Sequence, residues 1–148
     1  MTDSASGIVI SDDTAALINN ALENGTPMLL AYVNQNNQAR MSFRGSAHVH
    51  SPDQLAVWVR NPEGGLKAAL DNNPLLTLMY RDPPTRTTIF FYGTGHVETD
   101  DATRDKVFDS SPEREQALDT DKKGIALVID LDHVQGGSPD ARLDMRRA

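Results

Sequence analysis

The sequence predicts an antiparallel β-barrel with flanking helices, formed by a chain of 148 residues. Six short apolar segments are rich in strand-forming residues, and most are separated by tight turns rather than by the long crossover that a parallel sheet needs. No repeat or linker divides the chain. Residues 1–148 are therefore expected to form a single domain, with a core at about 27–134 and a basic tail at 136–148.

The first predicted element is a short amphipathic helix. Ser11 is a favoured N-cap residue, two acidic residues follow in the first turn, and apolar residues recur at helical spacing. Gly25 is expected to end this helix, since glycine readily adopts the conformation that closes a helix C-terminus.

Three strands are predicted next, at residues 28–33, 39–50 and 55–59, paired as a meander. The polar stretch 34–38 between the first two is typical of a β-hairpin, and Pro52 lies in the second turn. The third segment is rich in β-branched and aromatic residues, which favours a buried strand.

A short helix that ends before Pro74 is followed by two strands, at 75–81 and 87–97, joined by a turn with two prolines. Gly93 and Gly95 predict a bend or bulge in the second of these strands. The last predicted elements are helices at 100–111 and 113–118 and a strand at 125–129.

Charge and composition exclude several classes of function. The chain has a formal net charge of −7 and no cysteine, so disulfides and thiolate chemistry are absent, and tight binding to nucleic acid or to an anionic membrane is disfavoured. Neither a transmembrane segment nor a signal peptide is recognisable, so we expect a cytoplasmic location. Residues 40–86 nevertheless carry a net charge of +2.

A glycine-containing loop at residues 62–65 leads into the short helix near Lys67. Free backbone N–H groups beside a basic side chain are the groups that hold a phosphate in many proteins. A simple turn next to a solvated basic face explains the same residues equally well.

The order and spacing of five features carry a family resemblance. These features are Arg40-Met41 at the start of a strand, a second strand that ends in Trp58-Val59-Arg60-Asn61, the loop to Lys67, the phrase Asp71-Asn72-Asn73-Pro74, and Gly93 in a later strand. Together they resemble the flavin-binding split-barrel family that includes the pyridoxine/pyridoxamine 5′-phosphate oxidases. The resemblance covers about residues 27–134 and implies a homodimer of six-stranded split β-barrels that binds FMN between the two copies.

The resemblance also implies roles for individual residues. Arg40 and Lys67 would hold the FMN phosphate, the backbone of residues 41–43 would line the isoalloxazine edge, and residues 58–60 would flank the cofactor. Such a pairing of cations with a phosphate is physically reasonable. The expected cofactor-binding residues are Arg40, Met41, Ser42, Phe43, Arg44, Trp58, Val59, Arg60 and Lys67.

The implied function is a flavin-dependent oxidoreductase that acts on an unidentified small molecule. The flavin performs the redox step, so no catalytic residue is assigned. A true pyridoxamine phosphate oxidase is not expected, because the Arg-x-His motif of those enzymes is missing from the tail at 142–148. Leu66 and Thr88 stand where the family often has arginine and glutamine.

Two alternatives stay open: a non-catalytic module that binds or carries a flavin, a deazaflavin or haem, and a barrel without a cofactor that serves as an interaction protein. His48 and His50 lie two residues apart, so they would share one strand face and could bind a metal or haem iron, although packing is the simpler explanation. We expect no metal site of another kind. The apolar strands at 75–80 and 88–92 favour a homodimer, and the basic tail is predicted to be disordered.

Overall fold

The computed structural model describes residues 7–148, so the first six residues of the predicted domain lie outside the described residues. Over that range the chain forms one antiparallel sheet of eight strands that does not close completely. The strands are β1 (Met28–Val33), β2 (Ala39–Arg44), β3 (His48–Ser51), β4 (Gln54–Val59), β5 (Leu75–Asp82), β6 (Thr87–Glu98), β7 (Ile125–Ser138) and β8 (Ala141–Arg146). The helices are α1 (Asp12–Asn19), α2 (Leu66–Asn72), α3 (Asp101–Ser110) and α4 (Glu113–Gln116).

The strands follow the order β2-β1-β5-β6-β7-β4-β3 across the sheet, and β8 pairs with β7 outside this path. The strand β7 has three partners. Residues 125–130 pair with β4, residues 126–137 pair with β6, and residues 133–138 pair with β8. The antiparallel, mainly β architecture is therefore confirmed, with two strands more than the six predicted.

The single strand predicted at residues 39–50 is in fact two strands. The chain turns between them, where the amide of Ala47 donates a hydrogen bond to the carbonyl of Arg44 at 3.2 Å. The predicted meander is wrong, because β2 pairs with β1 at one end of the strand order while β3 and β4 lie at the other end. The turn was missed because the loose alternation of apolar residues continues through it.

The N-terminal helix forms as α1, with the hydroxyl of Ser11 accepting a hydrogen bond from the amide of Thr14 at 3.2 Å. This bond satisfies one of the free N–H groups of the first turn. The helix ends at Asn19, several residues before Gly25, which instead follows a series of turns.

The hairpin between β1 and β2 is confirmed, and one side chain explains its turn. The carboxamide oxygen of Asn34 accepts hydrogen bonds from the amides of Asn36 and Gln38, at 2.9 and 3.0 Å. Such bonds from an asparagine side chain to the following backbone fix a tight turn.

The strands predicted at 75–81 and 87–97 are confirmed as β5 and β6, and the helices predicted at 100–111 and 113–118 as α3 and α4. The bulge expected near Gly93 is present as a shift in the β6–β7 register just before it. A Cβ atom at Gly93 would lie 2.3 Å from the carbonyl oxygen of Asp130, so glycine is required at this close approach. Within residues 7–148, no helix is long and apolar enough to cross a membrane.

The last strand continues well beyond its predicted end at residue 129. Gly136 and Gly137 were expected to lie in an irregular tail, but β7 includes both, at φ values of 130° and 118°. A Cβ at Gly136 would lie 2.0 Å from the carbonyl oxygen of Thr88, so glycine here permits close pairing with β6 rather than ending the strand.

The basic tail, predicted to be disordered, is ordered as β8. Beyond this strand, the backbone amide of Arg147 donates to the carbonyl of Asp132 at 2.9 Å, and its side chain donates to the carbonyl of Leu131 at 2.8 Å. The Arg147 guanidinium also lies 3.7 Å from the carboxylate of Asp53. These contacts fix the end of the tail to β7.

Apolar clusters lie on both faces of β4. Leu55, Val57 and Val59 belong to the main core inside the sheet. Trp58 belongs to a second cluster beneath α3, where its ring meets that of Phe108 edge to face with centroids 5.2 Å apart. Because β4 is buried on both faces, its end is a rigid support for the residues that follow.

Candidate functional site

A cavity of about 380 Å³ opens where β2 and β4 end. Its lining is mixed: two arginines and one carboxylate lie among aromatic, aliphatic and small polar residues. The lining residues are Leu22, Pro27, Phe43, Arg44, Gly45, Ser46, Trp58, Arg60, Asn61 and Glu115. A pocket of this size accommodates a small organic molecule or part of a cofactor.

Four of the predicted site residues line this cavity, namely Phe43, Arg44, Trp58 and Arg60. The other five lie elsewhere: Arg40, Met41 and Ser42 on β2, Val59 in the main core, and Lys67 on α2. The structure therefore brings the ends of the two predicted segments together and leaves the pair expected at the phosphate outside the cavity.

The strand β2, whose end forms one wall of the cavity, buries polar atoms that have no partner among the described residues. The Nε atom of Arg44 and the hydroxyl of Ser42 are buried, and neither has a hydrogen-bond partner among the described residues. Burial lowers the pKa of the Arg44 guanidinium, Tyr32 opposes that shift, and Arg60 adds to it. Buried polar groups are nearly always hydrogen-bonded, so these two atoms indicate a missing polar partner.

The exposed side of β2 carries apolar groups. Met41 and Phe43 are 67% and 69% exposed. Because β2 stands at the end of the strand order, one of its backbone edges has no strand partner within the described residues. An edge of this kind presents free N–H and C=O groups beside two apolar side chains.

The opposite wall, formed by Trp58, has its hydrogen bonds satisfied. The indole N–H donates to Asp119 at 2.8 Å, and the backbone amide and carbonyl of Trp58 both bond to the hydroxyl of Ser46, at 2.9 and 3.0 Å. The guanidinium of Arg104 lies 5.2 Å from the centre of the indole ring, within the range of a cation–π contact.

Asp119 also accepts backbone hydrogen bonds from Lys123 and Gly124, at 3.0 and 2.9 Å. Burial raises the pKa of Asp119, but the donors from Trp58, Lys123 and Gly124, together with Arg60, outweigh it and lower that pKa overall. The carboxylate is therefore held ionised beneath the tryptophan.

The third feature of the cavity is an acidic group near Arg60. The carboxylate of Glu115 lies 3.9 Å from the Arg60 Nε atom. The side chain of Glu115 is 17% exposed, while that of Arg60 is 50% exposed. Sequence reasoning missed Glu115, since nothing in the short segment at 113–118 indicates that tertiary packing brings it against Gly45.

The loop predicted to hold a phosphate leads into α2, which begins at Leu66 after Gly65 in the left-handed conformation, at φ 98°. Lys67 forms an exposed ion pair with Asp71 one turn later, with a separation of 3.1 Å. Lys67 would therefore have to exchange this carboxylate for the phosphate of a ligand.

His48 and His50 share one face of β3, as predicted. The ring of His48 is 2% exposed, and its Nδ1 lies 2.7 Å from the carbonyl of Ser46. The His48 Nε2 and His50 Nδ1 atoms have no hydrogen-bond partner among the described residues. Burial is the main cause that lowers the pKa of both imidazoles. Within residues 7–148, no group of three or more His, Asp or Glu side chains could hold a metal ion.

Comparison with solved structures identifies the fold. No protein-family model matches the sequence, and no curated protein matches it. Among solved structures, a protein of Clostridium acetobutylicum related to general stress protein 26, from the pyridoxine phosphate oxidase family, matches with a TM-score of 0.63 and 12% identity, over 92% of this chain and 96% of that chain.

Two further solved structures differ in the ligand that their names give. An FMN-binding protein from Syntrophomonas wolfei matches with a TM-score of 0.63 and 14% identity, over 84% of each chain. A haem-binding protein from Mycobacterium smegmatis matches with a TM-score of 0.63 and 14% identity, over 89% of this chain and 57% of that chain. The chain therefore has the split-barrel fold of the pyridoxamine 5′-phosphate oxidase-like proteins.

Proposed function

We propose that this protein belongs to the pyridoxamine 5′-phosphate oxidase-like family, binds FMN beside β2 as a homodimer, and is a flavin-dependent oxidoreductase acting on a small molecule. One observation carries the flavin proposal: within residues 7–148, the buried hydroxyl of Ser42 has no hydrogen-bond partner, and it lies on a strand whose outer edge has no strand partner. A flavin has the polar ring edge and the anionic tail that such groups can bind.

In this proposal the exposed backbone of residues 41–43 binds the isoalloxazine edge, and Met41 and Phe43 supply apolar contact. Arg40 and Lys67 hold the phosphate, with Lys67 released from Asp71. Trp58, Val59 and Arg60 support the cofactor from β4. The flavin, when bound, supplies the hydride or electron transfer, and the residues of this chain bind it and shape the pocket.

The first test is an absorption spectrum after FMN is added and the excess removed by gel filtration. Retained bands near ~375 and ~450 nm, typical of an oxidised flavin, would support the proposal. Arg40→Ala and Lys67→Ala should lose the flavin, because each removes a cation from the phosphate. Arg142→Ala and Lys123→Ala, which remove exposed cations elsewhere, serve as matched controls. Normal retention in both test variants would contradict the phosphate assignment.

Turnover needs a separate test. Reduction of the bound flavin by NADH or NADPH, followed by reoxidation with an acceptor, would support an oxidoreductase. A bound flavin that no donor reduces would favour the alternative of a carrier module. A cytoplasmic location, expected from the sequence, stays a prediction.

The homodimer proposal rests on the outer face of the sheet. Leu75 is 59% exposed and lines a largely apolar groove of about 350 Å³ with Tyr32 and Tyr92. On the same face, Tyr92 stacks on Phe90 and on His133. A two-fold contact with a second copy would cover this surface.

Light scattering at micromolar concentration tests the dimer. Leu75→Lys should shift the protein to a monomer, because a charge would enter the apolar contact. Leu118→Lys is a matched control, since Leu118 is also 59% exposed but lies outside the groove. A monomeric wild-type protein would contradict the proposed interface.

The second candidate function is haem binding, favoured by two ring nitrogens on β3 that have no hydrogen-bond partner within residues 7–148. His50 is the better candidate ligand, because its side chain is half-buried whereas that of His48 is buried. A haem titration that gives a bound spectrum in the wild type but not in His50→Ala would support this function. Equal binding by both proteins would contradict it.

A further inference from the structure

The lining of the cavity between β2 and β4 contains charged side chains of both signs. Arg44 and Arg60 are its cationic lining residues, and Glu115 is the acidic residue among the described residues that line it. The three side chains together contribute one net positive charge. A cavity with this balance matches a ligand head that carries one negative charge better than a head that carries two.

The carboxylate of Glu115 is near Arg60 without being tightly bound to it. The separation of 3.9 Å is an ion-pair distance but is longer than a hydrogen bond. The second carboxylate oxygen lies over Gly45, where a Cβ atom would be only 2.8 Å away. The absence of a side chain at residue 45 therefore gives the carboxylate its place in the cavity.

The position of Glu115 is set by its backbone and not by its own carboxylate. The amide of Glu115 donates to the carbonyl of Pro112 at 2.9 Å. The neighbouring Gln116 donates its side-chain amide to the carbonyls of Asp109 and Ser111, at 3.1 and 2.8 Å. A change of Glu115 to the isosteric glutamine would remove the charge and keep these bonds.

We propose that Glu115 is a specificity-determining residue, which makes this cavity select a small substrate through a monoanionic head such as a carboxylate and reject a dianionic phosphate monoester. This inference rests on the proposed function, because it assigns the substrate site of the proposed flavoprotein. Arg44, whose Nε atom has no partner within residues 7–148, and Arg60 bind the head. Glu115 repels a second negative charge, and the phosphate of FMN lies instead at Arg40 and Lys67.

Three probes that share a phenyl ring test this selection. Benzoate carries one negative charge, phenyl phosphate carries mainly two near pH 7.5, and neutral benzamide reports binding of the ring alone. Affinities are measured by calorimetry, with fluorescence as a second readout, because Trp58 is the only tryptophan of the chain and lines the cavity. Each titration is made with and without added FMN.

The wild-type protein should bind benzoate more tightly than phenyl phosphate. In Glu115→Gln the affinity for phenyl phosphate should rise by roughly tenfold, as expected when one like charge is removed from a partly exposed site, and that for benzamide should not change. Glu113→Gln, an exposed change on the same short helix, is the matched control and should behave as wild type. Arg60→Gln should weaken both anions.

The proposal is overturned if Glu115→Gln binds phenyl phosphate no more tightly than the wild type, or if Arg60→Gln binds both anions normally. These outcomes are distinct from failure of the flavin proposal. A protein that does not retain FMN but shows the charge preference would contradict flavin binding alone. A protein that retains FMN but shows no charge preference would contradict the role of Glu115 alone.

Discussion

The two walls of the cavity differ in how their polar atoms are satisfied. On the β4 side, the indole N–H of Trp58 bonds to Asp119, and its backbone amide and carbonyl bond to Ser46. Each polar group of Trp58 therefore has a hydrogen-bond partner within the chain. On the β2 side, Arg44 lines the cavity and Ser42 lies farther along the strand, and each buries a polar atom that has no partner among the described residues. The Trp58 wall therefore serves the stability of the fold, and under the proposed function a ligand completes the other wall.

The largest effect on stability is expected at Trp58. Trp58→Ala should lower the free energy of unfolding by about 3–5 kcal/mol, the usual cost of deleting a buried aromatic side chain. Urea denaturation followed by circular dichroism measures this loss. Phe43→Ala, on the opposite wall and 69% exposed, should change stability by less than about 0.5 kcal/mol. Equal losses of stability in the two variants would contradict the difference between the two walls.

The next largest effect is expected at Asp119. Asp119→Ala leaves the indole N–H and two backbone amides without their acceptor, and it should cost about 1–3 kcal/mol in the same denaturation experiment. Asp121→Ala, an exposed acidic residue two positions later, is the control and should have little effect. An unchanged urea midpoint for Asp119→Ala would show that water accepts these three hydrogen bonds with no loss of stability.

A smaller, pH-dependent effect is expected at His48, which bonds to the carbonyl of Ser46, the residue whose hydroxyl bonds to Trp58. Burial, opposed by that bond and assisted by His50 and Lys106, holds the pKa of folded His48 below 6.5, its ordinary value. The unfolded chain therefore takes up the proton first, and stability should fall as the pH is lowered below about 6.5.

Thermal unfolding between pH 7.5 and 5.5 measures this dependence. The stability of wild type should fall over that range more steeply than that of His48→Gln, which cannot take up the proton. His133→Gln is a control at a histidine that pairs with Asp144 outside the cavity. Parallel pH profiles for wild type and His48→Gln would contradict the assignment.

The smallest effect on stability is expected at Arg44. Arg44→Met removes a half-buried cation whose Nε atom makes no hydrogen bond to the described residues, so the free energy of unfolding should change by less than about 0.5 kcal/mol or rise. Binding of benzoate should nevertheless weaken. A large loss of stability in Arg44→Met would show that the β2 wall is structural after all.

Local chemistry in the sequence predicted the features that depend on neighbouring residues. Ser11 begins a helix, the polar stretch from Asn34 forms a hairpin turn, and Gly93 marks a bulge. All three are recognisable from residue type and spacing. The turn after Arg44 and the extension of β7 through Gly136 depend on which distant strand is the partner, so the sequence pattern could not predict them.

The same distinction holds for the cavity. Phe43, Arg44, Trp58 and Arg60 were among the predicted residues because the family resemblance, which implied them, rests on local motifs of the two strands. Glu115 reaches the cavity only through the packing of α4 against the turn at Gly45, and a glutamate in a polar segment normally indicates a solvated surface.

The position of β7 in the chain has a consequence for how the protein folds. The strand β4 pairs with β7, and in this pairing Gln54 lies opposite Asp130, 76 residues later in the chain. The strand β7 also pairs with β6 and β8. During synthesis, the apolar segment 55–59 therefore emerges together with β3 but long before β7, its other partner strand, exists. We expect slow folding dominated by distant contacts, with backbone amides of β7 among the last to exchange with solvent, and a need for protection of β4 from aggregation until the last strands leave the ribosome.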